Sequence, residues 1–285
     1  MTAVLRIEDL TLDIVSSEGT KPILRGVSLE VEKGSVQGLA GESGSGKTIT
    51  GLSVIGLEPA GAKLTGRIWL EDIELVGLTG RRLGDIRGRR IGMVFQDPTA
   101  SLHPQLTIGS QLTDHIRYHL RESKRAAQAR ALDALNRVGI TASQRILSRY
   151  PHEFSGGQRQ RIAIAIALAC EPEVLIADEP TTALDVTVQA GVLALIRDLV
   201  DTLDLAVLFV THDLGVMSAI ADRVAIMRGG QVVEAGDRHQ VFTDPQHPYT
   251  RALLASLPGA KGGINSRADL RRLDLSANAI EGDGL

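Results

Sequence analysis

Apolar and polar positions along this chain follow two different rhythms. Between residues 4 and 33 they alternate in short runs, Leu5-Arg-Ile7, Leu10 to Ile14 and Val27 to Val31, with the turn Ser16-Ser-Glu-Gly19 between them. A period of two predicts strands with one buried face, and Gly66-Arg-Ile-Trp-Leu70 has the pattern to join the same antiparallel sheet. Five runs of a second kind follow, nearly continuous in apolar residues: Val36–Ala40, Ile91–Phe95, Val174–Ala177, Val207–Thr211 and Val224–Met227. Strands apolar on both faces suit a parallel sheet covered by helices. Ile49 to Ile55 reads as a helix, and so does the amphipathic stretch Val188 to Leu203. No strand pattern occurs between residues 104 and 169. Ser110 to Leu120 and Lys124 to Val138 read as helices there, with Gly139 as the stop of the second. Gln158 to Ala169 reads as a third helix, with Ser155 as its N-cap. The expected fold is α/β: a mostly parallel core sheet, an N-terminal antiparallel subdomain, and a helical subdomain at about residues 100–170.

Composition narrows the classes. With 285 residues and 43% hydrophobic content the chain can bury a sizeable core. A net charge of −3 offers no broad basic surface for nucleic acid. The single cysteine, Cys170, ends the apolar run from Ile162 and is expected to be buried in that helix. It argues against disulfides and against a cysteine-ligated metal. No stretch reaches the ~18 apolar residues of a membrane span, and the N-terminus lacks an apolar signal core. Contact with a membrane is therefore expected only through partners.

Two segments carry chemistry. Gly41-Glu-Ser-Gly-Ser-Gly-Lys47-Thr48 fits G-x-x-x-x-G-K-[ST] without mismatch, between a strand and a helix as that motif requires. Gly41, Gly44 and Gly46 let the backbone curl, so that N–H groups from Ser43 to Thr48, Ser45 among them, point at phosphate oxygens. The helix N-terminus adds partial positive charge. Lys47 suits the β- and γ-phosphates, and the Thr48 hydroxyl suits Mg²⁺. The second segment is Val174-Leu-Ile-Ala-Asp178-Glu179-Pro180, a strand delivering two acids to the end of the sheet where ligands bind. Alone it would equally fit a strand end capped by solvated acids. Beside a phosphate loop, Asp178 suits the Mg²⁺ shell and Glu179 suits a base for the attacking water.

With these residues in place, Phe154-Ser155-Gly156-Gly157-Gln158 resembles the signature sequence of the ATP-binding-cassette (ABC) ATPases. Gln96 resembles the family's Q-loop, Ala183-Leu184-Asp185 its D-loop and His212 its switch histidine, in the family's order. The resemblance covers roughly residues 5 to 258 and implies a P-loop NTPase fold of the ABC type. It implies that Gln96 bridges Mg²⁺ and a membrane partner, and that His212 meets the γ-phosphate. It also implies that Ser155, Gly156, Gly157 and Gln158 face the γ-phosphate of a second ATPase subunit, which Asp185 contacts. One position departs from the pattern: Ile14 stands where relatives commonly stack an aromatic residue on adenine.

Asp244-Pro-Gln-His247-Pro248-Tyr249-Thr250-Arg251-Ala-Leu-Leu254 resembles the extension of the peptide/nickel-type importer ATPases. The implied division is a nucleotide-binding domain over 1–243 and an extension over 244–285. Relatives often continue into a cysteine-containing region for an iron–sulfur cluster, and none is expected here. Residues 259–285 are expected to be loosely ordered, with Ala268 to Leu275 a short helix. The implied cofactors are ATP and Mg²⁺. The implied partners are a second ATPase subunit, a paralogue in preference to a copy, two transmembrane permeases and an extracytoplasmic solute-binding protein, with no nucleic acid. The implied place is the cytoplasmic face of the membrane. His103, with no His or Cys at ligand spacing, reads as an interface loop residue. A soluble ABC ATPase acting on DNA or ribosomes would bring coiled-coil insertions or tandem cassettes. A regulatory cassette would lack Glu179 or an intact signature.

Overall fold

A computed structural model describes residues 3–17, 19–97, 101–141, 143–182 and 184–256. The strands are β1 (Ala3–Ser16), β2 (Gly19–Glu32), β3 (Val36–Gly41), β4 (Ala62–Leu70), β5 (Ile73–Glu74), β6 (Ile91–Val94), β7 (Val174–Asp178), β8 (Ala206–Thr211), β9 (Arg223–Arg228) and β10 (Gln231–Asp237). The helices are α1 (Lys47–Val54), α2 (Gly80–Gly84), α3 (Ile108–Leu120), α4 (Lys124–Arg137), α5 (Gln144–Leu147), α6 (Gly156–Leu168), α7 (Val186–Leu203), α8 (Leu214–Ile220), α9 (Arg238–Thr243) and α10 (Pro248–Ala255).

β2, β1, β4 and β5 form the antiparallel sheet in that order. The two runs Leu5–Ile7 and Leu10–Ile14 are one strand interrupted by a bulge. The register slips between Ile7 and Leu10, and Asp9 takes a φ of 48°. A bulge inserts one residue and breaks the period of two, which is why the sequence reads as two strands. β2 begins eight residues before Val27, because its first half is an exposed hairpin arm that pairs without burying one face.

The second sheet runs β10-β9-β3-β8-β7-β6. β9, β3, β8, β7 and β6 are mutually parallel, and β10 pairs antiparallel with β9. Its interior strands divide their side chains between two cores. Leu175, Ala177, Val207 and Phe209 face the core shared with the helical lobe. Val174, Ile176, Leu208 and Val210 face the core shared with α1 and the antiparallel sheet. Burial on both faces explains the unbroken apolar runs. β10 escaped the sequence reading because its edge position leaves it half-exposed.

Caps set the helical lobe. Thr107 accepts from Ser110 N, Ser123 from Ala126 N and Ser155 from Gln158 N, and Gly139 follows α4 with a φ of 75°. α6 starts at Gly156, so its two glycines are its first residues and do not precede it. Cys170 is buried but lies in the turn after α6, where the C-cap Ala169 has already ended the helix. Burial lifts its thiol to about 11, which leaves it unreactive at neutral pH. No helix among the described residues is long and apolar enough to cross a membrane. The expected helix Ala268–Leu275 and the expectation for residues 259–285 lie outside the described residues.

Candidate active site

The loop between β3 and α1 is shaped by what its glycines must avoid. A Cβ on Gly41 would lie 2.2 Å from the Met227 carbonyl oxygen, and one on Gly46 would lie 2.8 Å from Leu24 Cδ2. Gly46 is also the N-cap of α1, with a φ of 106° that other residues rarely adopt. Lys47 is 5% exposed, and its ammonium donates to the carbonyl oxygens of Gly41 (2.8 Å) and Glu42 (2.9 Å). Burial lowers its pKa, and the nearby carboxylates of Glu179 and Asp178 pull it back up. The Ser45 hydroxyl is buried with no hydrogen-bond partner among the described residues. An anion in this cradle would meet backbone N–H groups, a cation and a free hydroxyl together.

Neighbouring strands β6, β7 and β8 bring the rest to the same edge of the sheet. β7 ends at Asp178, whose Oδ1 accepts from the Thr48 hydroxyl at 3.1 Å. Burial raises the Asp178 carboxyl, against the Thr48 hydrogen bond and Lys47, which favour its charge. Glu179 takes a φ of 46°, and its N–H donates to Val210 O at 2.8 Å. Left-handed backbone on a non-glycine residue is strained, and here it aims a carboxylate off the strand end. Gln96 Nε2, just past β6, donates to Glu179 Oε2 at 3.0 Å. The Thr182 hydroxyl donates to the same oxygen at 3.0 Å. His212 Nδ1, just past β8, lies 2.9 Å from Glu179 Oε1. Thr48, Asp178 and Gln96 supply a few hard oxygen donors beside the cradle, the set a magnesium ion takes when phosphate oxygens and water complete its shell.

One cleft of about 860 Å³ is lined by Gly41–Gly44 and Gly46–Thr48 together with Gln96, Glu179 and His212, while Ser45, Asp178 and Thr182 are not part of its lining. Ile14, Ile23 and Leu253 line it too. Ser155–Gln158 and Asp185 do not. Ser155 and Gln158 cap α6 reciprocally, the Gln158 side chain accepting from Ser155 N at 3.0 Å and Ser155 Oγ from Gln158 N at 3.3 Å. Asp185 caps α7, accepting from Val188 N at 3.0 Å. The two helix starts are packed together: a Cβ on Gly157 would fall 2.4 Å from Val188 Cγ1. Gly157→Ala should therefore push them apart and cost about 1–3 kcal/mol. Urea denaturation measures this, and a native midpoint would show the gap to be slack. Thr182 and Leu253 were not among the residues singled out from the sequence. Thr182 stands three residues past Glu179, but nothing in its type announces a hydrogen bond to that carboxylate.

Residues 24–182 match the family described as ABC transporter, and residues 233–278 match the oligopeptide/dipeptide transporter C-terminal region. The chain is 46% identical over 260 residues to the oligopeptide transport ATP-binding protein OppD of Bacillus subtilis (strain 168), covering 90% of this chain and 73% of that one. It is 47% identical to the dipeptide transport ATP-binding protein DppD of the same organism, over 90% of this chain and 78% of the relative. Among solved structures, the ATP-binding cassette MJ0796, a dimer in a post-hydrolysis state bound to ADP and Pi, aligns with a TM-score of 0.72 at 29% identity. That alignment covers 82% of this chain and 98% of the cassette. By sequence and by fold, the chain belongs to the ABC transporter ATPase family, and its C-terminal region to the oligopeptide/dipeptide branch of that family.

Proposed function

We propose that the chain binds ATP with Mg²⁺ and hydrolyses it, as the energising subunit of an importer for di- or oligopeptides or a related small solute. The observation that supports this best is the Glu179 carboxylate, held by Gln96, Thr182 and His212 at the edge of the cleft that the Gly41–Thr48 cradle forms. With the triphosphate in the cradle, Lys47 turns from the Gly41 and Glu42 carbonyls to the β- and γ-oxygens. Thr48, Asp178 and Gln96 would hold Mg²⁺, which when bound would neutralise phosphate charge. Glu179 orients the water and takes its proton as the water oxygen bonds to the γ-phosphorus and the bond to the β-γ bridging oxygen breaks. His212 donates to the γ-phosphate.

The site is half of one. Ser155, Gly156, Gly157 and Gln158 lie outside the chain's own cleft, so a second ATPase subunit supplies its signature turn, and each Asp185 meets the facing subunit. A paralogue is favoured for that role over a copy. The relatives' names support a peptide-type solute, and the extension over 244–285 accords with it. Two permeases and an extracytoplasmic solute-binding protein complete the assembly at the cytoplasmic face of the membrane. Closure of the ATPase pair drives the permeases, and hydrolysis resets it.

The isolated chain should be a poor ATPase. Turnover should rise with protein concentration where the chain self-pairs, and far more when the partner ATPase and permeases are present. Loaded binding protein should raise it again. A monodisperse monomer hydrolysing at full speed, independent of concentration, would rule out the composite site.

A further inference from the structure

We propose that α10, the last helix among the described residues, forms one wall of the nucleoside slot, with Leu253 as the side chain that covers the base opposite Ile14. This rests on the ATP reading above but is a separate property of the chain. The strand order fixes which end of the cleft takes which end of the nucleotide. β3 carries the cradle, β8 and β7 lie on one side of it with His212 and Glu179 at their ends, and β9 lies on the other. The reacting phosphate faces Glu179, so the nucleoside lies on the β9 side. There the Gly229-Gly230 turn joins the cradle to β2: Gly230 N donates to Ser45 O at 3.0 Å, and Arg25 N donates to Gly230 O at 2.8 Å. The β1–β2 hairpin brings Ile14 and Ile23 to the cleft at this end.

α10 is fixed on the same side. The Gln246 and His247 N–H groups donate to the two Glu234 carboxylate oxygens on β10, at 2.7 and 3.0 Å. Tyr249 is 7% exposed, and the Arg228 guanidinium lies 4.7 Å from its ring centroid, at the end of β9 next to the Gly229-Gly230 turn. One turn further along, Leu253 is half-buried against the core and lines the cleft with Ile14. An aliphatic pair of this kind grips a purine by its faces. It reads no exocyclic group, so ATP and GTP gain equally.

The test uses the full chain and isothermal titration with Mg²⁺ and ATP, GTP or inorganic tripolyphosphate. In Leu253→Ser, affinity for both nucleotides should fall about fivefold, as expected when part of a leucine's apolar cover is lost. Tripolyphosphate affinity should not move, and Leu253→Met should restore the nucleotides. Leu253→Trp supplies an independent reading: ATP should quench its added emission and tripolyphosphate should not. Unchanged nucleotide affinity in Leu253→Ser, an equal loss for tripolyphosphate, or no ATP-specific quenching in Leu253→Trp would overturn the slot. Wild-type chain that binds tripolyphosphate as well as ATP removes the slot and leaves the phosphate site intact. Wild-type chain that binds neither removes both.

Discussion

Glu179→Gln should bind MgATP at least as well as the native chain, and turnover in the assembled transporter should fall by about 10²-fold or more. Gln96 Nε2, the Thr182 hydroxyl and His212 Nδ1 hold the native carboxylate at 2.9 to 3.0 Å. A hydroxyl can turn and an imidazole can exchange tautomers, so an amide of the same shape fits among them. The left-handed backbone at this position, φ 46°, suits glutamine as it suits glutamate. The change removes one negative charge beside the γ-phosphate, which favours binding, and removes the carboxylate proposed to take the water's proton. The ATP-bound pair of subunits should then persist. Size-exclusion chromatography in MgATP, run beside a steady-state phosphate assay, reads both effects. Hydrolysis at the native rate would move the base to another residue.

The reason this site could be read from the sequence lies in where its parts sit. Gln96, Asp178, Glu179 and His212 each follow an unbroken apolar run, and in a parallel sheet the ends of such runs meet at one edge. The cradle needs glycines at fixed spacing, and Gly41 and Gly46 are glycine because Met227 O and Leu24 Cδ2 leave no room for a Cβ. Ser155 was legible as the N-cap of an apolar helix and proves to be one, whereas Asp185, legible only through the resemblance, also proves to be an N-cap. What escaped depends on contacts between distant segments. Leu253 reaches the cleft because Glu234 and Arg228 seat α10, and no periodicity within 248–255 encodes that. Thr182 looks like any threonine in a turn until Glu179 bends back over it. The Asp9 bulge and the exposed arm of β2 were hidden because they break or lack the alternation by which strands are recognised.

Lys47→Ala should abolish function at an earlier step, by preventing productive nucleotide binding. The ammonium is buried, with Asp178 and Glu179 near enough to favour its charge. Without it, a triphosphate entering the cradle would meet those two carboxylates with no fixed side-chain cation between them. The loss has a second part in the free chain. Lys47 donates to the carbonyls of Gly41 and Glu42, so its removal takes from the loop two hydrogen bonds that hold its curl. Charge-assisted hydrogen bonds contribute about 1.5–3 kcal/mol each, so losing even one to phosphate predicts a drop in ATP affinity of about 10- to 150-fold. Turnover should fall further, by about 10²–10³-fold at saturating ATP, because the same cation answers charge that develops on the oxygens of the breaking bond. Lys47→Arg should recover little, since a planar fork does not fit where a compact ammonium sits between two loop carbonyls. Titration calorimetry and the assembled transporter's ATPase rate separate the two losses. Near-native binding and hydrolysis by Lys47→Ala would sink the assignment of residues 41–48 as the phosphate cradle.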